Sequence, residues 1–446
     1  MNRKRITSII KWTGIVIVGL AVIYAVLLIV STIQLRQAYA ALARDGRPMR
    51  AEDIIPPRVL DTENAALSYQ IAILRLRAEP AGPKNLLEHL GDLTWRDPND
   101  REELERLFQE KTVIEVIAAV EQGAQRSRCR FDIWDTSPIV GHTLQGMGSL
   151  AGLLNNKARF EADRGHIEGA WGTVETCLRL TQATKMLPAL DFQGIRMGSI
   201  RGVMRVIQDL CEIAPPDPSQ TAVIEPLLRD LVDDRDLLAA LDGERLFVGE
   251  WVFSLPRTEL QRQLRRIFPG KSWIDLARIS IGMSFKPLLQ NDHAHYLRIM
   301  YTFSRIAQTP YAGLDQDLAI QAVPRRGLGR FSFVTGQIMP YTFDLDRQFH
   351  TLTIATVRIT RAGLAVLQHK QTHGVFPEDQ IALGLQDLVD PFSGRPLIYR
   401  SEGAGFIIYS VGFDQKDDGG IPQPRHAWRE PGCDVVWRYP GPKTKL

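Results

Sequence analysis

The sequence lacks the cysteine spacing of a zinc ribbon or a thioredoxin-like redox site. Its four cysteines are scattered, with no C-x-x-C pair: Cys129, Cys177, Cys211 and Cys433. In an exported chain they could pair in three ways, but 446 residues do not need disulfides to hold a core together. We therefore predict that the cysteines are small buried apolar residues.

Sequence motifs of common enzymes are also absent. No nucleophile elbow, phosphate-binding loop or H-E-x-x-H helix occurs. His369 and His373 are four residues apart on a helical pattern, but two ligands supply only half of a tetrahedral metal site. His293 and His295 are predicted to be polar surface residues. We predict that the protein is not an enzyme; the alternative is a membrane-anchored hydrolase whose residues converge only in three dimensions.

The chain has little net charge, and its small excess of basic residues comes from its start. The formal net charge is +3, while four Lys/Arg and no Asp or Glu precede residue 36. The rest of the chain carries almost equal numbers of acidic and basic residues. Binding to nucleic acid needs clustered Lys/Arg that neutralise phosphates, so nucleic acid is not predicted as a partner.

Residues 12–35 contain no charged side chain. At ~1.5 Å per residue, a helix of this length crosses a hydrocarbon core of ~30 Å. A cleavable signal peptide, for which residues 38–40 offer a small-residue pattern, has a shorter apolar region of ~7–15 residues. We predict a single-pass anchor in the bacterial inner (cytoplasmic) membrane, with residues 1–11 as a basic tail inside and the bulk of the chain extracytoplasmic.

Apolar residues in 36–213 recur at helical spacing, which predicts a helical subdomain. Its clearest unit is a helix pair near 150–180 that loosely resembles a tetratricopeptide hairpin. Four small residues are predicted to be close helix contacts: Ala158, Ala170, Gly198 and Gly202.

A proline cluster at 214–218 predicts a subdomain boundary, with Ser219 or Thr221 capping the next helix. Residues 219–309 are predicted to form a second helical subdomain, and residues 310–343 a connector. The second subdomain contains a basic stretch that could contact acidic lipid head groups or simply solvate a helix face. The stretch comprises Arg257, Arg262, Arg265, Arg266 and Lys271.

The last region, 344–446, begins with a long amphipathic helix, for which Asp344 is a predicted N-cap and Gly374 a C′ glycine. Three short apolar runs then predict the strands of a small antiparallel sheet: residues 397–399, 406–409 and 435–437. The first two runs flank a longer hairpin loop at 401–405. The predicted fold class is therefore mainly α, with a transmembrane helix, a large helical domain and a small C-terminal α+β module.

Five sequence elements of this region occur in an order that is typical of one protein family. They are Phe376-Pro377, the segment from Asp390-Pro391 to Tyr399, the segment from Tyr409 to Asp414, Asp417-Asp418-Gly419-Gly420, and Asp434-Val435-Val436-Trp437. They resemble the C-terminal module of the major pseudopilin of type II secretion systems. That module has a long helix ending in a glycine-aromatic-proline element, a D-P-W-G-x-P-Y-x-Y hairpin, an S-L-G-x-D-G-x-x-G-G loop and a terminal D-I-x-x-W.

The resemblance covers residues 345–439. In pseudopilins the hydrophobic segment lies at the head of the same long helix, whereas here it lies some 300 residues upstream. The resemblance therefore implies the fold of the module but not assembly into a filament through packed N-terminal helices.

The loop that precedes the last strand is dense in carboxylates. Calcium takes six to eight oxygen ligands in irregular geometry, and the loop's glycines allow main-chain carbonyls to turn inward. We predict a calcium site formed by Asp414, Asp417, Asp418 and Asp434. The resemblance implies calcium at this loop and matches Asp414 and Asp434 to the family's aspartates, while Gln415 stands where the family has glycine. The alternative is a solvated Asp-Gly turn without an ion.

Together these features predict a membrane-anchored extracytoplasmic binding or assembly protein with a pseudopilin-like, calcium-stabilised module, linked to a secretion or pilus-like system. Its predicted partners are the membrane and a protein that the sequence does not identify.

Overall fold

The computed structural model describes residues 3–82, 84–131, 141–186, 189–256, 258–260, 262, 284–313, 333–338, 343–379, 388–423 and 431–441. The chain is mainly helical, with a small antiparallel sheet near its C-terminus, which confirms the predicted fold class. It divides into two compact units. The anchor unit comprises Met1–Ile54, Leu241–Ile306 and Gln316–Phe343, and the main unit comprises Ile55–Ala240, Ala307–Asp315 and Asp344–Leu446.

The helices, in chain order, are α1 (Arg3–Arg44), α2 (Ala65–Ala78), α3 (Leu86–Asp92), α4 (Pro98–Leu107), α5 (Lys111–Ala124), α6 (Gly141–Asp163), α7 (Ile167–Ala183), α8 (Leu190–Ile213), α9 (Pro218–Leu231), α10 (Asp236–Gly243), α11 (Trp251–Ser254), α12 (Lys286–Gln308), α13 (Thr335–Ile338) and α14 (Phe343–His373). A π-helical turn, Glu244–Glu250, joins α10 to α11. The strands are β1 (Pro80–Ala81), β2 (Lys84–Asn85), β3 (Ile398–Glu402), β4 (Gly405–Ser410) and β5 (Val435–Tyr439).

Helix α1 contains the predicted membrane span. From Ile10 to Arg44 it is long and apolar enough to cross a membrane, with a mean hydropathy of 2.8 in its most apolar window. The side chains of that window are not buried within the protein. An isolated helix with such a surface is stable in lipid, where its backbone polar groups are all satisfied internally.

In the main unit, α6 and α7 form the helix pair that the sequence predicts at 150–180. Gly165 turns the chain between them with a φ of +78°, and Ala158 and Ala170 are buried. A Cβ placed on Gly202 would lie 2.8 Å from Nδ2 of Asn155, so Gly202 is the close contact that was predicted. The prediction for Gly198 is wrong, because a Cβ there would meet no atom within 4 Å.

Helix α9 begins earlier than the sequence pattern suggests. Its N-cap is Asp217, whose carboxylate accepts a hydrogen bond from the Gln220 amide at 2.8 Å, while the Gln220 side chain accepts one from the Asp217 amide at 3.0 Å. Pro218 is the first helical residue, a position where its missing N–H costs nothing. The predicted caps Ser219 and Thr221 therefore lie inside the helix.

The predicted succession of subdomains differs from the two compact units. The proline cluster at 214–218 lies within the main unit, because α9 packs against α7 there. The predicted subdomain 219–309 is shared between the units, and 316–343 of the predicted connector belongs to the anchor unit. Of the basic stretch, only Arg262 lies within the described residues, where it pairs with Glu259.

The C-terminal module consists of α14 and the three-stranded sheet, which is antiparallel in the order β3-β4-β5. Glu402 pairs with Gly405, so the hairpin has a two-residue turn in place of the predicted longer loop. Gly374 ends α14 with a φ of +80°, as predicted, and its amide donates to the Lys370 carbonyl at 2.9 Å. Asp344 lies in the first turn of α14 and not at its N-cap, because the helix already begins at Phe343.

Cys129, Cys177 and Cys211 are buried thiols, as predicted, and Cys433 is partly exposed. Burial raises the pKa of the Cys177 thiol to about 12. Such a thiol carries almost no thiolate at neutral pH, so it behaves as a small apolar residue.

Candidate functional site

The five sequence elements of the C-terminal module contact one another. The hydroxyl of Tyr399 donates to the Pro377 carbonyl at 2.7 Å, which joins the hairpin to the segment after α14. The ring of Phe406 on β4 lies 5.6 Å from the Trp437 ring and 5.8 Å from the Phe376 ring. Aromatic side chains from two of the elements, Phe376 and Trp437, therefore share one apolar layer with Phe406.

Asp390 ties the first hairpin element to the loop that follows β4. One carboxylate oxygen accepts hydrogen bonds from the Phe392 amide at 2.9 Å and the Ser410 hydroxyl at 2.7 Å. The other accepts from the Ser393 hydroxyl at 2.9 Å and the Val411 amide at 3.2 Å. Asp390 is almost fully buried, so these bonds replace the water that the carboxylate loses. Its role is structural.

Asp434 is the most buried carboxylate of the predicted calcium loop. It accepts a hydrogen bond from the Gly420 amide at 2.7 Å and a longer one from the Asp418 amide at 3.5 Å. Burial raises the pKa of Asp434, and the nearby negative charges of Asp418 and Asp417 raise it further. Burial and these neighbouring charges thus oppose ionisation of Asp434 more than its hydrogen bonds favour it.

The other three predicted ligands have different surroundings. Asp417 accepts from the Tyr409 hydroxyl at 3.0 Å, and Asp414 from the Gly432 amide at 2.9 Å. Asp418 has one carboxylate oxygen that is buried and makes no hydrogen bond. Gln415, which stands where the resembled family has glycine, adopts a φ of +60°, a conformation that costs a side-chain-bearing residue about 1 kcal/mol or more.

The negative charges of Asp417 and Asp418 act on Asp434, whose pKa they raise. Across the described residues, no group of three or more His, Cys, Asp or Glu side chains is placed to hold a metal ion. A bound cation would therefore take part of its ligands from main-chain carbonyls, which calcium accepts readily.

The two histidines near the C-terminus of α14 contact main-chain carbonyls there. The rings of His369 and His373 stack with their centroids 4.2 Å apart. Nδ1 of His369 lies 3.2 Å from the Val375 carbonyl, and Nδ1 of His373 lies 3.1 Å from the His369 carbonyl. These contacts satisfy carbonyls at a helix C-terminus, where imidazole side chains are favoured.

A cluster in the anchor unit was not found by sequence reasoning. One carboxylate oxygen of Glu250 accepts a hydrogen bond from the Tyr39 hydroxyl at 2.7 Å and lies 3.1 Å from Nε2 of His293. The Phe253 ring stacks on His293 at 4.2 Å. Burial alone would raise the pKa of Glu250, but the bonds from His293 and Tyr39 keep it below its ordinary value. The prediction that His293 is a surface residue is therefore wrong.

The same unit buries a second set of charges beside this cluster. Asp242 pairs with Arg47, whose Nε donates to it at 3.2 Å, and lies 3.7 Å from the guanidinium of Arg245. Arg245 is 1% exposed and also donates to the Pro48 carbonyl. Arg47 and Pro48 lie 195 and 197 positions from Asp242 and Arg245, so no local pattern could have indicated that these segments meet.

The main unit has a groove of about 620 Å³ at the ends of α2, α5 and α7. Its side chains include four cations and no His, Asp or Glu: Arg126, Arg128, Arg179 and Lys185. Arg179 and Lys185 already pair with Glu175 at 2.9 Å and Asp236 at 3.3 Å.

Within the residues that the structure describes, the fold and these sites define a helix-rich protein with one helix able to span a membrane and a small C-terminal α+β module. No family model, curated protein or solved structure matches the chain.

Proposed function

We propose that the chain is a membrane-anchored, extracytoplasmic binding or assembly protein with a pseudopilin-like C-terminal module that calcium stabilises, and that it works in a secretion or pilus-like system. The observation that carries this proposal is the mutual contact of the five C-terminal sequence elements. Asp390 joins two of them by accepting hydrogen bonds from the Ser410 hydroxyl and the Val411 amide, and Phe406 joins two others through ring contacts with Phe376 and Trp437. Residues that resemble one family in sequence thus also form one packed module.

Calcium is the cation that suits the loop. Asp434 is buried with a raised pKa, and Asp418 holds a buried carboxylate oxygen without a hydrogen bond. A divalent cation would relieve the repulsion among these carboxylates. Gly412, Gly419 and Gly420 all have positive φ values, a conformation that glycine adopts without strain and that allows the sharp turns of this loop.

The calcium test is a thermal melt of the full chain in detergent, with millimolar calcium or with chelator. Calcium at a concentration about a hundredfold above its Kd stabilises the folded protein by ~2.7 kcal/mol, so it should raise the melting temperature. The double variant Asp414→Asn with Asp434→Asn should lose the shift, because both matched carboxylates are neutralised. Asp230→Ala, at an exposed residue of α9, is the control and should keep it.

Equal melting temperatures with calcium and chelator would contradict the calcium proposal. So would a shift that survives in the double variant, since the ion would then bind elsewhere.

The orientation follows from the basic residues at positions 3–11, which are retained on the cytoplasmic side. A reporter that is active only outside the cytoplasm, fused after Leu446, should be active in cells. Activity of a cytoplasm-specific reporter at the same position would overturn the extracytoplasmic placement.

Assembly is tested by crosslinking in cells followed by purification of the full chain. We expect components of a secretion or pilus-like machinery to copurify, and to be lost when residues 343–446 are deleted. Copurification that does not depend on these residues would remove the C-terminal module from the proposed role.

A further inference from the structure

Helix α12 contacts α1 within the part of α1 that is free of charge. The ring of Phe285, directly before α12, lies 5.6 Å from the Tyr24 ring in an edge-to-face arrangement. Further along, the Ser31 hydroxyl donates to Oε1 of Gln290 at 2.9 Å, and the rings of Tyr39 and His293 are 5.8 Å apart. In these three contacts, a higher residue number in α1 goes with a higher residue number in α12, so the two helices run parallel. The first turn of α12 therefore lies beside the membrane span of α1.

The depth of this first turn can be read from α1. About 20 residues fill the hydrocarbon core, so a span that begins at Trp12 ends near Ser31. Tyr24 precedes Ser31 by seven residues, or about 10 Å along the helix axis. Phe285 beside Tyr24 therefore lies within the half of the bilayer nearer to Ser31.

The side chains of this turn suit lipid. Phe285 is 47% exposed although it contacts Tyr24, and Leu288 and Leu289 are only partly buried. Lys286 is exposed, and residues 284–291 include no acidic side chain. A lysine can bury its methylene chain in lipid while its ammonium group reaches the head groups.

We propose that the start of α12, from Phe285 to Gln290, enters the bilayer beside α1 and binds anionic lipid. Phe285 contacts the acyl chains, and Lys286 binds a lipid phosphate. Interfacial helices insert their apolar face about 5–10 Å into the boundary region, which agrees with the depth set by Tyr24. This inference rests on the membrane span of the proposed function, but not on its calcium site or its protein partner.

The depth test uses the full chain in vesicles of phosphatidylcholine and phosphatidylglycerol. A spin label is placed at Phe285→Cys in a Cys433→Ser background, because the other three cysteines are buried. A label at Val26→Cys in α1 serves as the lipid reference, and a label at Val375→Cys after α14 serves as the water reference. Both side chains are exposed. We expect the label at 285 to be relaxed more by oxygen than by a water-soluble nickel complex, as at position 26.

A label at 285 that responds like position 375, while position 26 reports lipid, would overturn the inference and leave the anchor intact. If position 26 also reported water, the membrane span itself would be wrong.

The head-group contact is tested by the phosphatidylglycerol that remains bound to the purified full chain. Lys286→Gln should retain about fivefold less, the ratio that corresponds to the ~1 kcal/mol that one basic residue contributes near an anionic surface. Lys111→Gln, at an exposed lysine of α5, is the matched control and should retain the wild-type amount. Equal retention in both variants would remove Lys286 from the proposed site.

Discussion

The anchor unit and the C-terminal module fill their interiors with different chemistry. In the C-terminal module, aromatic rings pack in layers, and the buried carboxylates Asp390 and Asp434 accept hydrogen bonds from nearby amides and hydroxyls. In the anchor unit, complete ion pairs are buried: Arg245 is 1% exposed, and Asp242 lies beside it and pairs with Arg47.

The difference concerns how each region loses stability. A buried charge whose partner is removed stays desolvated and uncompensated, which costs about 3–5 kcal/mol. A packed aromatic layer loses less when one contact changes, because neighbouring side chains relax in part. We therefore expect single substitutions to act most strongly in the anchor unit.

Asp242→Ala should produce the largest effect. It leaves Arg47 without the carboxylate it pairs with and removes one of two carboxylates near Arg245, the other being Glu250 at 3.9 Å, so the free energy of unfolding should fall by about 3–5 kcal/mol. Chemical denaturation of the full chain in detergent measures this value, with Asp230→Ala as the exposed control. A loss below about 1 kcal/mol, typical of an exposed pair, would show that the network is solvated.

The C-terminal module could be predicted because its determinants are local. Gly374 ends α14 at the residue that the sequence indicates, and the third strand lies where Val435-Val436-Trp437 indicated it. The details of the hairpin could not be predicted as well. The β3–β4 turn is shorter than predicted because the two strands continue to Glu402 and Gly405.

The anchor-unit cluster could not be predicted, because its members are far apart in the chain. Tyr39 and Glu250 are separated by 211 positions, and the link from Arg47 to Asp242 spans 195. His293 gave only the signal of a polar residue in a helix. Periodicity reports which face of a helix is apolar, but not which charge from another segment will meet a polar residue on that face.

Gly363→Ala should have the next largest effect. A Cβ at Gly363 would overlap the ring of Trp437, so either the ring or α14 must move. Overpacking of this kind costs about 1–3 kcal/mol. Gly172→Ala is the matched control: Gly172 is also helical, but its Cβ would meet nothing within 4 Å, and the alanine should stabilise α7 by about 0.5–1 kcal/mol. Equal effects at the two positions would show that Trp437 does not pack on α14.

The pH dependence of stability distinguishes the contribution of Asp434, in the calcium loop, from that of Asp292, a buried carboxylate of the anchor unit. Burial raises the pKa of both groups in the folded protein. Each therefore contributes stability that is present below its unfolded pKa of about 4 and is lost as pH rises through its folded pKa. In chelator, Asp434→Asn and Asp292→Asn should each reduce the fall in melting temperature between pH 4 and neutrality. Calcium should flatten the dependence in the wild type, because the cation favours the charged form of Asp434, and it should have no such effect through Asp292. A calcium effect on the pH dependence that is unchanged in Asp434→Asn would contradict the assignment of Asp434 to the site.

The smallest effect on the free energy of unfolding is expected from breaking an exposed ion pair, whose charged atoms are as close as those of a buried pair. Nη1 of Arg75 lies 2.7 Å from Glu115, but the two side chains are 48% and 43% exposed. Water and salt screen such a pair, and ordering two long side chains costs entropy, so Glu115→Ala should change the free energy of unfolding by no more than about 1 kcal/mol. Denaturation at low and high salt measures it beside Asp242→Ala. If Glu115→Ala cost as much as Asp242→Ala, burial would not be what makes the charges of the anchor unit sensitive.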